Sequence, residues 1–549
     1  MTDPLGVPPL GVPPLGVPPL GVAPRSVPST SRRPAALVAA GIFLSRLMGL
    51  VRQKAFAYYF GVGPVADAFT AAFRIPNILQ NLFGEGVLSA SFIPVYSQLL
   101  AKGDDRGRQE VAGAVLGVLA FLSAVVVLLG VLAAPFLVDV IAVGFVGATR
   151  DLTVQLVRIL FPGAGLLVLA AWCLGVLNSH GKFFLSYAAP VLWNAAMIAT
   201  LLIWGGRLDL PRLAVYLAWG SVAGSAIQLL VQWRNVSNVL GVWRVSTSIA
   251  SPHVRTVLRN FGPVFVGRGV TQLSAYIDST IASLLVLGSV STLNYAQLLY
   301  MLPVSLFGMS ISAAELPAMS SVTGATAEVA EQLRERLALA LRRVAFFIVP
   351  SAVAFLAFGD LLARLVYQGG EFGGEQARWV WGVLAGSAIG LLASTLGRLY
   401  ASAFYALRDT KTPLRFAMVR VGLTTGLGIA ASLWLPGALG IDARWGVAGL
   451  TGASGLSAWI EFLLLRRAVR KRIGAVSITP RALVTLWMCA GLAAALGWGI
   501  RLSLSSLPEF WVSPIVLGGY SIAYGVAALA AGVPQAQAVA LRLGRALER

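Results

Sequence analysis

The stretch from Ala66 to Gln98, ADAFTAAFRIPNILQNLFGEGVLSASFIPVYSQ, is long and mostly apolar, yet it carries Asp67, Arg74, Asn77, Gln80, Asn81 and Glu85. Charge at bilayer depth costs a few kcal/mol or more unless it is paired or faces water, so such residues mark a polar cavity rather than a lipid-facing anchor. At about 100° per residue, Asp67, Arg74, Asn81 and Glu85 fall within roughly 40° of one another, a single polar stripe on an apolar helix. Just upstream, GIFLSRLMGLVRQKAFAYYFG places Arg46 and Arg52 inside a second apolar run. Six residues set them about 120° apart, which suits the two flanks of a groove. Arginine fits a pyrophosphate because its planar fork makes bidentate charge-assisted bonds. The competing reading pairs these arginines internally with Asp67 or Glu85. A third run, GPVFVGRGVTQLSAYIDSTIASLL, adds Arg268, Gln272 and Asp278; Arg268 either meets an anion from the second half of the chain or pairs with a carboxylate.

Catalysis is not expected. Asp139 and Asp151 are isolated, and Asp360, Glu371 and Glu375 form no tight cluster; an aspartate-rich motif and a Ser/His/Asp set are both missing. No metal site is expected either, because His180 and His253 show no ligand spacing. Cys173 and Cys489 sit inside apolar runs and read as small core residues.

The elements that must position these side chains are transmembrane helices. The chain is 57% hydrophobic and 12% charged, with a mean hydropathy of +0.79, where a soluble domain carries about 25% charged residues. Runs of about 20 apolar residues predict an all-α polytopic membrane protein of about fourteen spans, the second covering 67–99 and the seventh 257–287. The net charge of +20 suggests nucleic acid at first sight, but no segment is long enough for a folded basic domain. The basic residues concentrate instead in alternate loops, as in Arg466, Arg467, Arg470, Lys471 and Arg472. That bias puts both termini in the cytoplasm. Residues 1–33 repeat LGVPP and read as an extended or disordered tail: a proline-motif ligand, an idle tail or a misassigned start. The folded chain is expected to begin near Pro34.

The chain also contains a weak copy of itself. LFGEGVLSASFIPVYS at 82–97 matches LFGMSISAAELPAMS at 306–320, and VLNSHGKFFL at 176–185 echoes ALRDTKTPLR at 406–415. Laying spans 1–6 over spans 7–12 predicts two six-helix lobes of parallel topology, 34–236 and 255–467. Two extra helices follow at 480–533, and a cytoplasmic tail at 534–549. Two-lobe transporters of this kind hold substrate between the lobes and rock them.

SRLMGLVRQKAFAYYFG at 45–61, the 66–98 stretch and FYALRDTKTP at 404–413 resemble the MurJ/MviN family, lipid II flippases of the multidrug/oligosaccharidyl-lipid/polysaccharide exporter superfamily. The resemblance covers the chain from Pro34 onward. It implies a central cavity, a groove at 480–533 for an undecaprenyl tail, and movement of undecaprenyl-pyrophosphate disaccharide-pentapeptide (lipid II) to the outer leaflet of the bacterial cytoplasmic membrane. It puts Arg46, Arg52 and Asp67 on cavity positions, Arg74 on a basic position and Glu85 on the motif's acid. Gln80 and Leu298 stand where other members have arginines, and Arg268 is a candidate to compensate. The partners implied are lipid II and membrane lipids, with the protein a monomer. No cofactor is expected, and coupling to the membrane potential or a monovalent cation stays open. The alternatives are an exporter of another polyprenyl-linked saccharide, or a drug/cation antiporter of the same superfamily.

Overall fold

The computed structural model describes residues 32–241, 244–320, 326–407, 409–476, 478–504 and 506–547. The LGVPP repeats lie outside the described residues. The first helix, α1 (Arg32–Phe60), starts two residues ahead of the expected boundary. It is followed by α2 (Pro64–Phe83), α3 (Glu85–Ser91), α4 (Ile93–Lys102), α5 (Asp105–Leu132) and α6 (Ala134–Ile141). The first half of the chain is completed by α7 (Gly147–Ser179), α8 (Phe183–Ala188), α9 (Pro190–Trp204) and α10 (Leu210–Leu240). In the second half come α11 (Pro252–Ser283), α12 (Ser289–Pro303), α13 (Ser310–Ser320), α14 (Thr326–Tyr367) and α15 (Gly374–Ala406). They are followed by α16 (Lys411–Ile429), α17 (Leu435–Leu439), α18 (Gly446–Ile473), α19 (Pro480–Ser503), α20 (Glu509–Ala530) and α21 (Pro534–Leu547). Here the near face is the one carrying α21, and the far face is its opposite.

Among the described residues, twelve segments are long and apolar enough to cross a membrane. The fourteen expected from sequence included α1 and α11, which are not among the twelve. Both are long enough, at 29 and 32 residues, but the side chains of 32–39 and 42 in α1 and of 263–275 in α11 lie outside the described residues. The long second span also differs from expectation. Gly84 adopts an extended conformation, and a Cβ there would stand 2.1 Å from the Gln80 carbonyl oxygen. The helix therefore stops at Phe83, and Glu85 opens a separate short helix, α3. In the copy of this motif, Phe307-Gly308 falls inside a π-helical segment, Val304–Met309, between α12 and α13. The repeated Phe-Gly thus marks a helix irregularity in both halves, as π-bulges and breaks do where a helix must bend.

Two bundles result, α1–α10 and α11–α18, with α7 on α10 in one matched by α15 on α18 in the other. The far half of the first bundle shares one apolar core with the second bundle, in which Phe56 and Phe69 meet Tyr295, Tyr367 and Phe372. A second core lies at the near end of the first bundle, and α11 reaches into it with Val254 and Val257. Helix α11 therefore crosses from one bundle to the other. At the near end the Tyr96 hydroxyl and the Nε2 of His180, which follows the end of α7, are 2.9 Å apart. His180 is held below its ordinary pKa by partial burial and by Arg108 and Lys182. Cys173 and Cys489 are both buried free thiols.

The α19–α20 hairpin docks on α14 through polar contacts that α14 itself makes available. Pro350 has no N–H to give the Phe346 carbonyl one turn back, and the Tyr524 hydroxyl donates to that carbonyl at 2.7 Å. Tyr520 donates to the Pro350 carbonyl at 2.7 Å. Nearer the far face, Arg501 holds Asp360 through two bonds, 2.5 and 3.2 Å, and stacks 4.9 Å from Trp498. Asp360 is 6% exposed. Removing one partner of such a buried pair leaves an uncompensated charge, at a cost of about 3–5 kcal/mol, whereas replacing both with apolar groups is near neutral. Arg501→Ala is expected to lower the melting temperature of the purified protein clearly. The double variant Asp360→Leu/Arg501→Met should recover most of the loss.

Candidate functional site

Helices α1 and α2 run antiparallel from the far face, and their polar residues meet those of α12 across the seam between bundles. Arg52 and Arg74 line one cavity of about 130 Å³ with Gln53, Thr70, Asn294 and Leu298. The guanidinium of Arg52 lies 5.4 Å from the Phe73 ring centre and 5.1 Å from that of Trp193. These two rings stack on each other at 5.7 Å. The remaining contact of Arg52 is with Met197 Sδ, 3.9 Å from Nη1. Aromatic faces and a thioether attract a cation, but they occupy few of its N–H donors. Among the described residues no carboxylate pairs with Arg52. The cage holds a guanidinium in fixed orientation and leaves its donors for an anion.

Arg74 is anchored across the seam. Its Nη2 donates to Gln297 Oε1 at 2.6 Å, and its carbonyl accepts from the Tyr276 hydroxyl at 2.9 Å. Both partners belong to the second bundle, on α12 and α11.

Asp67 is not on the cavity wall. It is 1% exposed, toward the far face, where its two oxygens accept from backbone amides at the start of α12: Gly288 N at 2.6 Å and Ser291 N at 2.7 Å. A helix N-terminus offers unsatisfied N–H groups and the positive end of its dipole, so a carboxylate there is well placed. Here the carboxylate comes from the other bundle, and the cap joins the two bundles. Asp67 and Ser291 are separated by 224 residues, the same offset that relates Leu82 to Leu306 in the repeat. Near this contact, the Tyr295 hydroxyl donates to the Gly61 carbonyl at 2.8 Å, and the Tyr367 hydroxyl donates to the Tyr295 carbonyl at 3.1 Å.

Toward the near end the two bundles meet again. Val254, Val257, Leu258 and Phe261 of α11 pack against Phe83, Leu88, Val115 and Leu119, with the Phe83 and Phe261 rings 5.8 Å apart. A polar cap thus lies above the cavity and an apolar contact below it.

The other sequence candidates fall elsewhere. Arg46 is exposed on α1, about 9 Å below Arg52 toward the near face. Gln80 is half-buried and off the cavity wall, and Asn81 is exposed. Leu298 does line the cavity. The side chains of Glu85, Arg268 and Gln272 lie outside the described residues. Among the described residues, no three His, Cys, Asp or Glu side chains gather as metal ligands. Sequence reasoning missed the cage of Phe73, Trp193 and Met197, and also Gln297 and Tyr276. Only the Asp67–Ser291 contact left a signal, in the repeat offset.

Comparison with known proteins completes the picture. A family model described as lipid II flippase MurJ matches residues 56–519. A probable lipid II flippase MurJ of Rhizobium meliloti is 30% identical, over 89% of this chain and 93% of that protein. The lipid II flippase MurJ of Burkholderia cenocepacia is 33% identical, over 80% of this chain and 84% of that protein. Among solved structures, a lipid II flippase MurJ in an inward closed conformation superposes with a TM-score of 0.73 at 22% identity, covering 90% of this chain and 98% of that one. An inward-facing multidrug resistance MATE family transporter superposes at 0.60 with 17% identity, covering 80% and 98%, a likeness of fold alone. On the match to most of its length, this chain belongs to the lipid II flippase MurJ family.

Proposed function

We propose that this protein flips lipid II, undecaprenyl-pyrophosphate-linked disaccharide-pentapeptide, from the inner to the outer leaflet of the bacterial cytoplasmic membrane. It does so by alternating access and makes or breaks no covalent bond. The observation that carries this reading is Arg52, a half-buried guanidinium oriented by two aromatic rings and paired with no carboxylate among the described residues. A charge in that setting is strongly destabilising without a counter-charge, and a pyrophosphate supplies one. Arg74 lines the same cavity, and Arg46 stands on the approach from the near face. The family's other members, named as lipid II flippases, support the same substrate.

The near face is the cytoplasmic one, because the clusters Arg334 to Arg343 and Arg466 to Arg472 lie there. The lobes are 34–236 and 255–467, and 480–533 forms the groove along which the polyprenyl tail stays in lipid. Opening inward separates the start of α11 from Phe83 and Leu88, exposing Arg52 and Arg74 to the substrate headgroup. Opening outward takes Asp67 off the Gly288 and Ser291 amides. The protein works as a monomer without a cofactor. Cavity cations moving through the membrane field gain about 2.3 kcal/mol per charge per 100 mV, enough to bias the return step. A monovalent cation in the second lobe is the other possible drive.

The test is complementation of a bacterium depleted of its own lipid II flippase by the full chain. Growth with externally accessible lipid II supports the reading. Failure at normal membrane level points to another polyprenyl-linked saccharide or to a drug/cation antiporter.

A further inference from the structure

Two loops at the far face meet the opposite lobe backbone to backbone. In the first lobe, Gly144 precedes α7 by three residues and lies on the end of α11. Its N–H donates to Ser283 Oγ at 3.3 Å, and a Cβ in place of its hydrogen would stand 1.9 Å from the Ser283 carbonyl oxygen. In the second lobe, Gly370 precedes α15 by four residues and lies on the end of α1. A Cβ there would stand 2.2 Å from the Tyr58 carbonyl oxygen, and the next residue, Glu371, donates its N–H to that same oxygen at 2.8 Å. Gly370 has φ +55°, which only glycine adopts without strain. Each glycine is followed by a buried phenylalanine, Phe145 in one loop and Phe372 in the other.

The two contacts are copies of each other. Under the internal repeat α1 corresponds to α11 and α7 to α15, so the loop before α7 corresponds to the loop before α15. Each lobe therefore lays a glycine of one loop on the end of the other lobe's first helix. The Asp67–Ser291 contact, whose members are themselves related by the repeat, lies between them.

We infer that Gly144 and Gly370 are positioning residues of the transport cycle, a reciprocal pair of glycine clasps that set the closed state of the far face. The inference rests on the alternating-access reading. Glycine is required because close backbone approach brings the lobes near enough for the Asp67 cap to form. A methyl group holds the loops off by more than an ångström at a carbonyl that cannot swing aside, since Tyr58 and Ser283 are helical. Such a wedge favours the conformation open at the far face. It touches neither the cavity nor Arg52.

The experiment reads cavity accessibility, not transport. Leu298→Cys on the cavity wall is introduced into the full chain with Cys173→Ala and Cys489→Ala, and an impermeant maleimide is applied from the far side of oriented vesicles. Gly370→Ala and Gly144→Ala are each expected to raise the labelling rate about tenfold, the scale on which minor states of such equilibria are populated. Gly499→Ala, which has open space around it, should change nothing. Unchanged labelling in folded Gly370→Ala and Gly144→Ala proteins overturns the clasp. So does a lowered melting temperature without increased labelling, which marks ordinary packing. If one variant does not fold, the other reads the equivalent contact in the opposite lobe. Because labelling is independent of cargo, a positive result alongside failed lipid II transport would reject the substrate reading and leave the clasp standing.

Discussion

Asp67→Asn is expected to insert and fold but to lose transport. The substitution keeps the shape of the side chain and removes its charge, and one of its two acceptors becomes an amide that faces backbone donors. Two charge-assisted bonds are weakened at once, each worth about 1.5–3 kcal/mol, and at least one amide of α12 is left without a partner. The far face then loses its closed state by about 3 kcal/mol, a shift of more than about 100-fold in the lobe equilibrium. Spin labels on the α1–α2 turn and on the loop before α15 should report a longer distance, and complementation should fail at normal protein level. Asp67→Glu should recover little, because the longer side chain cannot reach both amides from the same backbone position. If Asp67→Asn transports normally, the cap does not control the far face.

Arg52 gives the second large effect. Arg52→Ala removes the cavity's oriented guanidinium, and with it a bidentate bond to a diphosphate. Transport in reconstituted vesicles is expected to fall by at least about 100-fold, the scale of two charge-assisted hydrogen bonds. Arg52→Lys keeps the charge but not the planar fork that Phe73 and Trp193 sandwich, so it should restore no more than about a tenth of the rate. Stability should move the other way. A partly desolvated cation without a protein counter-charge adds no stability to the fold, so Arg52→Met should melt at the wild-type temperature or above it. Loss of transport together with loss of stability would mean that Arg52 is a structural residue.

What could be read in the sequence was decided by charge. Arg52, Asp67 and Arg74 stand out because an ionic side chain in an apolar helix needs a reason, and all three proved to lie at the seam between lobes. Their partners were invisible for the same physical reason. Phe73, Trp193 and Met197 are ordinary residues of an apolar span, and only their convergence from α2 and α9 makes a cation cage. Asp67 was read as a cavity residue because polarity alone does not separate an open site from a buried cap. The repeat held the missing information, since its offset of 224 joins Asp67 to Ser291, but Ser291 bonds through its backbone amide, which no residue type announces. Gly84 shows a different limit. A glycine inside a helical pattern is tolerated more often than it breaks the helix, so one unbroken helix from Asp67 to Glu85 was a fair expectation, and the break at Gly84 corrects it. The crossing of α11 from one lobe to the other depends on tertiary packing of Val254 and Val257, which local pattern does not encode.

The central claim is that the pyrophosphate of a polyprenyl-linked sugar is carried across by the caged arginine. The most direct measurement is transfer of fluorescent lipid II across the bilayer of proteoliposomes containing the full chain, beside the same lipid carrying a monophosphate in place of the pyrophosphate. Transfer of lipid II well above protein-free vesicles is expected, with weak transfer of the monophosphate and neither with Arg52→Ala. Equal transfer of the two lipids, or transfer of lipid II undiminished by Arg52→Ala, would contradict it.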